Sequence, residues 1–256
     1  MKVITLANQK GGCGKTTTAH TLAIGLVNSG YRVLAIDCDS QCNLSSVFGL
    51  MSEKKTKGTL LDVMQQDMAI SECVSTVRIG LDILACNPKL SDVDKMFSDF
   101  EDVMILNDEL EKVQENYDFV VIDTPPAVNT LTTSALMTSD FLIVPMTADY
   151  FSIQGFNLLE KKIATLKRMG SNIEILGILL TRCDRTSLTN DLKESISEIA
   201  KELNTTVFNS TIRQGVAVRE SQLLQSDIFT ESPKAAVTQD YNAFINECIE
   251  RINERK

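Results

Sequence analysis

The segment Lys10-Gly11-Gly12-Cys13-Gly14-Lys15-Thr16-Thr17 constrains this chain more than any other. It follows a short apolar run, Val3–Ala7, and opens a helical pattern that begins at Thr16 and ends near Ser29-Gly30, where glycine suits a C-terminal cap. Strand, glycine-rich loop and helix in that order are the setting a phosphate-binding loop requires. The glycines let backbone N–H groups turn inward and approach phosphate oxygens, and the helix start adds unpaired donors and partial positive charge. Lys15 is placed to reach the β- and γ-phosphates, and the Thr16 hydroxyl to ligate Mg2+. The common spacing G-x-x-x-x-G-K-[ST] would put glycine where this chain has Gln9, and an extra lysine, Lys10, stands early in the loop.

Four further apolar runs, Val33–Ile36, Phe119–Ile122, Phe141–Val144 and Ile175–Leu180, are continuous rather than alternating. Strands buried on both faces of a parallel sheet read this way. A helical pattern from about Ile153 to Met169 separates two of them, so the expected fold is α/β, a doubly wound, mostly parallel sheet with helices on both faces. The stretch 51–116 is more polar, with helices expected at Thr59–Gln66 and Asp102–Asn116, and reads as an excursion from the same sheet. The tail Ala235–Ile252 carries Tyr241, Phe244, Ile245, Cys248, Ile249 and Ile252 at helical spacing, a stripe expected to face the core. One domain over 1–256 is expected, with no N-terminal DNA-reading domain.

Two strands end in carboxylates: Val33–Ile36 in Asp37-Cys38-Asp39, and Phe119–Ile122 in Asp123-Thr124-Pro125-Pro126. Ligands of open α/β sheets bind outside the carboxyl ends of the strands, so these aspartates can converge on the phosphate loop. An Asp after four apolar residues is the pattern that holds Mg2+ directly or through water, and an Asp near a γ-phosphate can orient the attacking water. A single strand-end Asp is as readily a helix cap or turn residue; two of them together with the loop point to nucleotide hydrolysis. Thr181-Arg182-Cys183-Asp184 resembles the guanine-reading T-K-x-D motif, but Arg replaces its Lys and the match is four residues long, so guanine specificity is not expected.

Composition excludes several alternatives. No apolar run reaches the roughly 18–20 residues needed to cross a bilayer, and the N-terminus has no signal-peptide pattern, so the expected compartment is the cytoplasm. His20 is the only histidine, which removes His-based triads and multi-His zinc sites. Seven cysteines without a C-x-x-C pair fit reduced, mostly buried thiols.

The chain also carries Asn8-Gln9 before the loop, Asp37-Cys38-Asp39-Ser40-Gln41-Cys42-Asn43, Val121-Ile122-Asp123-Thr124-Pro125-Pro126, and a late block of Thr211-Ile212-Arg213, Glu220 and Ser232-Pro233-Lys234-Ala235-Ala236. These ordered blocks, spread over nearly the whole chain, resemble the ParA/Soj family of DNA-partitioning ATPases, in the deviant Walker A group of P-loop proteins, and among them the small plasmid or mobile-element type. The resemblance implies ATP and Mg2+ bound in a sandwich homodimer. Lys10 matches the signature lysine that reaches the partner subunit's phosphates, Asp39 the aspartate needed for hydrolysis, and Asp123 the switch II carboxylate. Residues 10–17 and Asp123 are then the nucleotide site, with Thr16, Asp39 and Asp123 around the metal. It further implies slow hydrolysis stimulated by a ParB-type centromere-binding partner, non-specific binding of double-stranded DNA by the ATP dimer, and a nucleoid-associated cytoplasmic location.

Departures from the family pattern are Ser40 for Pro, Cys42 for Gly and Cys13 for Val. Arg185 matches one DNA-contacting position if a one-residue gap is allowed. Ala217 replaces an arginine at another, flanked by Arg213 and Arg219. Three other readings are weaker. A MinD-like membrane-cycling ATPase needs a terminal helix with a basic polar face, whereas this one carries Glu247, Glu250 and Glu254. A cluster-binding relative needs symmetric exposed thiolates, and no cysteine follows Asp123 in switch II. A scaffold that binds without hydrolysing would lack Asp39 or Asp123.

The net charge of −9 at first sight opposes DNA binding. Residues 92–118, however, hold ten acids and two bases, a net of −8, which leaves −1 for the rest. DNA is therefore expected away from residues 92–118.

Overall fold

The computed structural model describes residues 1–50, 56–97, 99–147, 149–183, 196–198, 200, 201 and 205–255, with backbone alone over 150–158. Its strands are β1 (Lys2–Leu6), β2 (Val33–Asp37), β3 (Ser75–Arg78), β4 (Leu81–Leu84), β5 (Phe119–Asp123), β6 (Phe141–Thr147) and β7 (Glu174–Thr181). They form one sheet in the order β3-β4-β2-β5-β1-β6-β7, parallel throughout except for the β3–β4 pair at the edge.

The continuous apolar runs have the expected cause. Val33 and Ala35 of β2, Phe119 and Val121 of β5, and Ile4 and Leu6 of β1 enter one core layer. Their neighbours Leu34, Ile36, Val120, Ile122 and Val3 enter the layer on the opposite face. Side chains of a strand alternate sides, so a strand covered on both faces is apolar at every position.

The helices are α1 (Lys15–Asn28), α2 (Asn43–Val47), α3 (Leu60–Met64), α4 (Ile70–Cys73), α5 (Val93–Met96), α6 (Phe100–Glu111), α7 (Thr130–Met137), α8 (Tyr150–Arg168), α9 (Val216–Leu223), α10 (Ile228–Glu231) and α11 (Ala236–Glu254). α1 and α11 cover one face, with Ala217 and Val218 of α9 against the same core. α3, α6 and α7 cover the other. The acidic stretch on α5 and α6 therefore lies across the sheet from Arg213 and Arg219.

The tail stripe faces the core: Tyr241, Phe244, Ile245, Cys248 and Ile252 are all buried, each contributing roughly 1.5–3 kcal/mol for an aromatic or aliphatic side chain. The two helices of that layer meet closely at Gly25, where a Cβ would stand 2.1 Å from Ile245 Cδ1. Among the described residues no helix is long and apolar enough to cross a membrane.

The sequence signals miss two strands. β3 has a single buried residue and β4 is four residues interrupted by Asp82, so neither shows an apolar run. Yet β4 pairs in parallel register with β2, and the polar excursion supplies the sheet edge. Helix bounds shift modestly. The expected 102–116 helix is α6, which opens at an Asp99–Asp102 capping box and ends at Glu111. α3 starts after the Thr59–Asp62 box.

His20 on α1 is buried against Phe48, with ring centroids 4.7 Å apart, and burial lowers its pKa to about 4. The folded protein thus refuses a proton that the unfolded chain accepts near 6.5. Stability is full above 6.5 and is lost as pH falls toward 4. Between pH 7.5 and pH 5 the stability difference between wild type and His20→Leu shifts in the variant's favour by about 2 kcal/mol. Urea denaturation at the two pH values measures it, and an unchanged difference would refute a neutral buried imidazole.

Candidate functional site

The loop between β1 and α1 adopts the conformation its glycines allow. Gly14, the residue before α1, has φ 88°, in the left-handed region where a Cβ is strained. No side chain caps α1 and its first turn contains no acid, so the helix presents free N–H donors and a positive dipole end. Lys15, the first helical residue, is buried and folds back so that Nζ donates to the Lys10 carbonyl at 3.2 Å. The buried Cys13 thiol donates to that same carbonyl at 3.2 Å, and burial raises its pKa.

Other strands pin the loop. Thr181 Oγ1, at the end of β7, donates to the Cys13 carbonyl at 2.8 Å. Asn8 Nδ2 donates to the Pro145 carbonyl of β6 at 2.7 Å, and its Oδ1 accepts from the Lys10 N–H at 3.0 Å. Lys10 Nζ donates to Thr147 Oγ1 at 3.1 Å and pairs with Asp149, both at the C-terminal end of β6.

The three aspartates occupy different environments. Asp37 and Asp123 are direct neighbours in the β2–β5 register. Asp37 is committed to its own turn: it accepts from the Asp39 N–H at 3.1 Å, the Ser45 N–H at 2.8 Å and the Ser45 hydroxyl at 2.7 Å. Burial lifts its pKa to about 6 against those bonds. Its role is to shape the 37–45 segment, so it does not converge on the loop as a ligand would. Asp39 accepts from the Gln41 N–H at 3.0 Å and borders the cleft.

Asp123 is fully buried, and neither of its oxygens has a hydrogen-bond partner among the described residues. Burial, reinforced by Asp37, pushes this carboxyl well above the usual range, whereas the neighbouring Thr16 hydroxyl and Lys15 favour its charged form. A buried carboxylate without a donor is costly unless a cation or water satisfies it. The Thr16 hydroxyl and the Asp123 and Asp39 carboxylates form an all-oxygen donor set of the kind Mg2+ takes; these residues fit the ion.

Gly11, Gly12, Gly14, Lys15, Thr16 and Thr17 line a cleft of about 370 Å3 whose opposite wall includes Asp39, Gln41, Asn43 and Pro126. A second cavity of about 150 Å3 continues past Gly14 and Thr17 to Thr181, Val218, Gln222 and Tyr241. Gln222 Nε2 donates to Thr17 Oγ1 at 3.1 Å. Arg182 borders both spaces. Its backbone is left-handed, φ 53°, and a Cβ on Gly12 would lie 3.8 Å from its guanidinium. Sequence reasoning set Thr181-Arg182 aside as a false guanine motif; the pair belongs to the site. The available signal was position, since Thr181 and Arg182 directly follow the apolar run Ile175–Leu180, at the carboxyl end of the parallel strands where the loop lies.

The expected DNA-contacting residues are dispersed. Arg213 makes a two-pronged pair with Asp240, Nε to Oδ2 and Nη2 to Oδ1 both at 2.7 Å, so its charge is already compensated. Arg219 is exposed on α9, beside the small cavity. Arg185 lies outside the described residues.

Comparison with known proteins gives three kinds of likeness. A family model described as an AAA domain matches residues 1–175. The chromosome partitioning protein ParA of Caulobacter vibrioides is 32% identical over 262 residues, covering 100% of this chain and 97% of that protein. The sporulation initiation inhibitor protein Soj of Bacillus subtilis is 28% identical over 243 residues, covering 94% and 95%. Among solved structures, Cyanothece McdA in complex with ATP superposes with a TM-score of 0.86 at 20% identity, covering 99% of this chain and 96% of the other. At that identity the superposition speaks for the fold.

Proposed function

The chain belongs to the ParA/Soj family of P-loop ATPases, and from that membership we propose that it is an ATP-dependent DNA segregation ATPase. Its nucleotide-bound homodimer holds double-stranded DNA without sequence preference, and a ParB-type partner stimulates hydrolysis and release. The observation that carries this reading is the orphaned, buried Asp123 carboxylate at the foot of an uncapped helix start that presents Lys15.

In this reading residues 11–17 cradle the triphosphate through backbone N–H groups, and Lys15 leaves the Lys10 carbonyl to meet phosphate oxygens. Thr16 and Asp123, with Asp39, would hold Mg2+, which when bound neutralises charge on the β- and γ-phosphates. Asp39 orients the attacking water across the cleft. The small cavity beyond Thr17 receives the base, with Arg182 over its entrance.

Lys10 acts on the partner subunit's nucleotide, as a cation supplied across an interface stabilises transition-state charge. Its present bonds to Thr147 and Asp149 then break on dimerisation. Lys10→Ala therefore stays monomeric with ATP, and light scattering that finds normal ATP-dependent dimers would remove the trans-lysine role.

The separation of the acidic stretch from Arg219 by the thickness of the sheet supports DNA contact on the α9 side. The deciding experiment measures DNA binding and ATPase rate with ATP, ADP and no nucleotide across a salt series. Binding only with ATP, weakening steeply with salt as phosphate contacts demand, is the expected result. Binding that ignores nucleotide, or none with ATP, would overturn the proposal.

A further inference from the structure

The cleft and the smaller cavity meet at Gly14, Thr17 and Arg182, which line both. Among the described residues lining the cleft, the cations are Lys15 and Arg182, whereas Lys10 is held by Thr147 and Asp149 at the end of β6. Arg182 is exposed, and among the described residues no carboxylate or other acceptor engages its guanidinium.

The backbone on either side of Arg182 is fixed. Thr181 Oγ1 donates to the Cys13 carbonyl at 2.8 Å and lies 3.3 Å from the Met146 carbonyl. The Cys183 N–H donates to the Ile212 carbonyl at 3.0 Å. Between these anchors Arg182 takes φ 53°, a left-handed conformation uncommon for a residue with a Cβ. Such conformations persist where the surroundings over-determine them, and they gather at functional sites. The result is a register of the β7 end on the loop. A Cβ on Gly14 would stand 3.8 Å from the Thr181 side chain, and one on Gly12 would stand 3.8 Å from Arg182 Nη1.

We propose that Arg182 is a nucleotide-binding residue whose guanidinium takes the α- and β-phosphates of the nucleoside di- or triphosphate held by its own loop. This deepens the nucleotide-site reading above and rests on it. A ligand with its phosphates along residues 11–17 and its base in the small cavity crosses the junction that Arg182 lines. The phosphates nearest the base lie at that junction, and the terminal one lies farther along the cleft toward Asp39. A guanidinium is planar, always charged, and presents a fork of donors that meets two phosphate oxygens at once. Lys15 and the loop N–H groups neutralise the chain from the protein side, and Arg182 does so from the solvent side. Its contact is the same with ADP as with ATP, so it holds product as firmly as substrate. That separates it from Lys10, which serves the partner subunit's nucleotide, and from Asp39, which serves the γ-phosphate end.

The test titrates the full chain with MgADP and with MgATP in a calorimeter, comparing wild type with Arg182→Ala. The expected result is an affinity loss of at least tenfold for both nucleotides, equal within threefold, with the melting temperature of the nucleotide-free protein unchanged because the side chain is exposed. Arg182→Asn, a residue type that tolerates the left-handed backbone, gives the same loss and decides the matter should the alanine variant fail to fold. A crystal structure of the wild-type MgADP complex then shows the guanidinium within hydrogen-bond distance of an α- or β-phosphate oxygen. A loss for ADP of less than tenfold, a loss confined to ATP, or a guanidinium lying over the base or turned to solvent in that complex overturns the assignment. Wild-type protein that binds neither nucleotide overturns the nucleotide-site reading, and this inference with it.

Discussion

Lys15→Ala lowers the affinity for ATP by at least a hundredfold while leaving the fold in place. Lys15 is the buried cation at the first position of α1, and its ammonium already rests inside the loop on the Lys10 carbonyl. Exchanging that neutral acceptor for phosphate oxygens strengthens its bonds, since charge-assisted hydrogen bonds contribute about 1.5–3 kcal/mol each. Two such bonds account for a loss of two orders of magnitude or more. The variant also removes the cation that favours ionised Asp123, so the metal-holding carboxylate is weakened together with the phosphate contact. Calorimetric titration with MgATP, alongside a thermal melt, measures both. An affinity within threefold of wild type would sink the assignment of Lys15.

Asp39→Ala gives the opposite phenotype, in which ATP still binds but turnover falls by a hundredfold or more. Asp39 borders the cleft and accepts one backbone bond from its own turn. Phosphoryl transfer depends mainly on positioning and electrostatics, so losing the residue that orients water slows the step without removing the phosphate cradle. The ATP-bound form then accumulates as a dimer that retains DNA. Single-turnover hydrolysis with and without the partner is the measurement. A variant that hydrolyses ATP at the partner-stimulated wild-type rate shows that another group positions the water. Asp37 is the contrasting control. Three donors depend on its carboxylate, so its loss damages the 37–45 turn before it damages chemistry.

These two residues also show how far a sequence can be read. Asp37 and Asp39 look alike in one dimension, two acids at the end of one strand. Their difference comes from Ser45, eight residues beyond Asp37, whose backbone and hydroxyl claim its carboxylate and leave Asp39 at the cleft. Arg182 illustrates the same limit. Its neighbours in sequence suggested a motif of another class, while its position over Gly12 depends on β7 reaching the loop through the Thr181 hydrogen bond. Arg213 was expected on the DNA side, and Asp240, 27 residues away, engages its guanidinium.

Local chemistry set the loop, the α1 start, the five apolar strands and the α11 stripe. Glycine conformations, helix-end donors and burial on both faces are properties of neighbouring residues, so the sequence by itself determined them. The edge hairpin, the pinning of Lys10 by β6 and the burial of Asp123 without a hydrogen-bond donor among the described residues arise only in the tertiary structure. Each depends on a contact between segments that the chain brings together across dozens of residues, and no short-range pattern records which donor or acid will be waiting there.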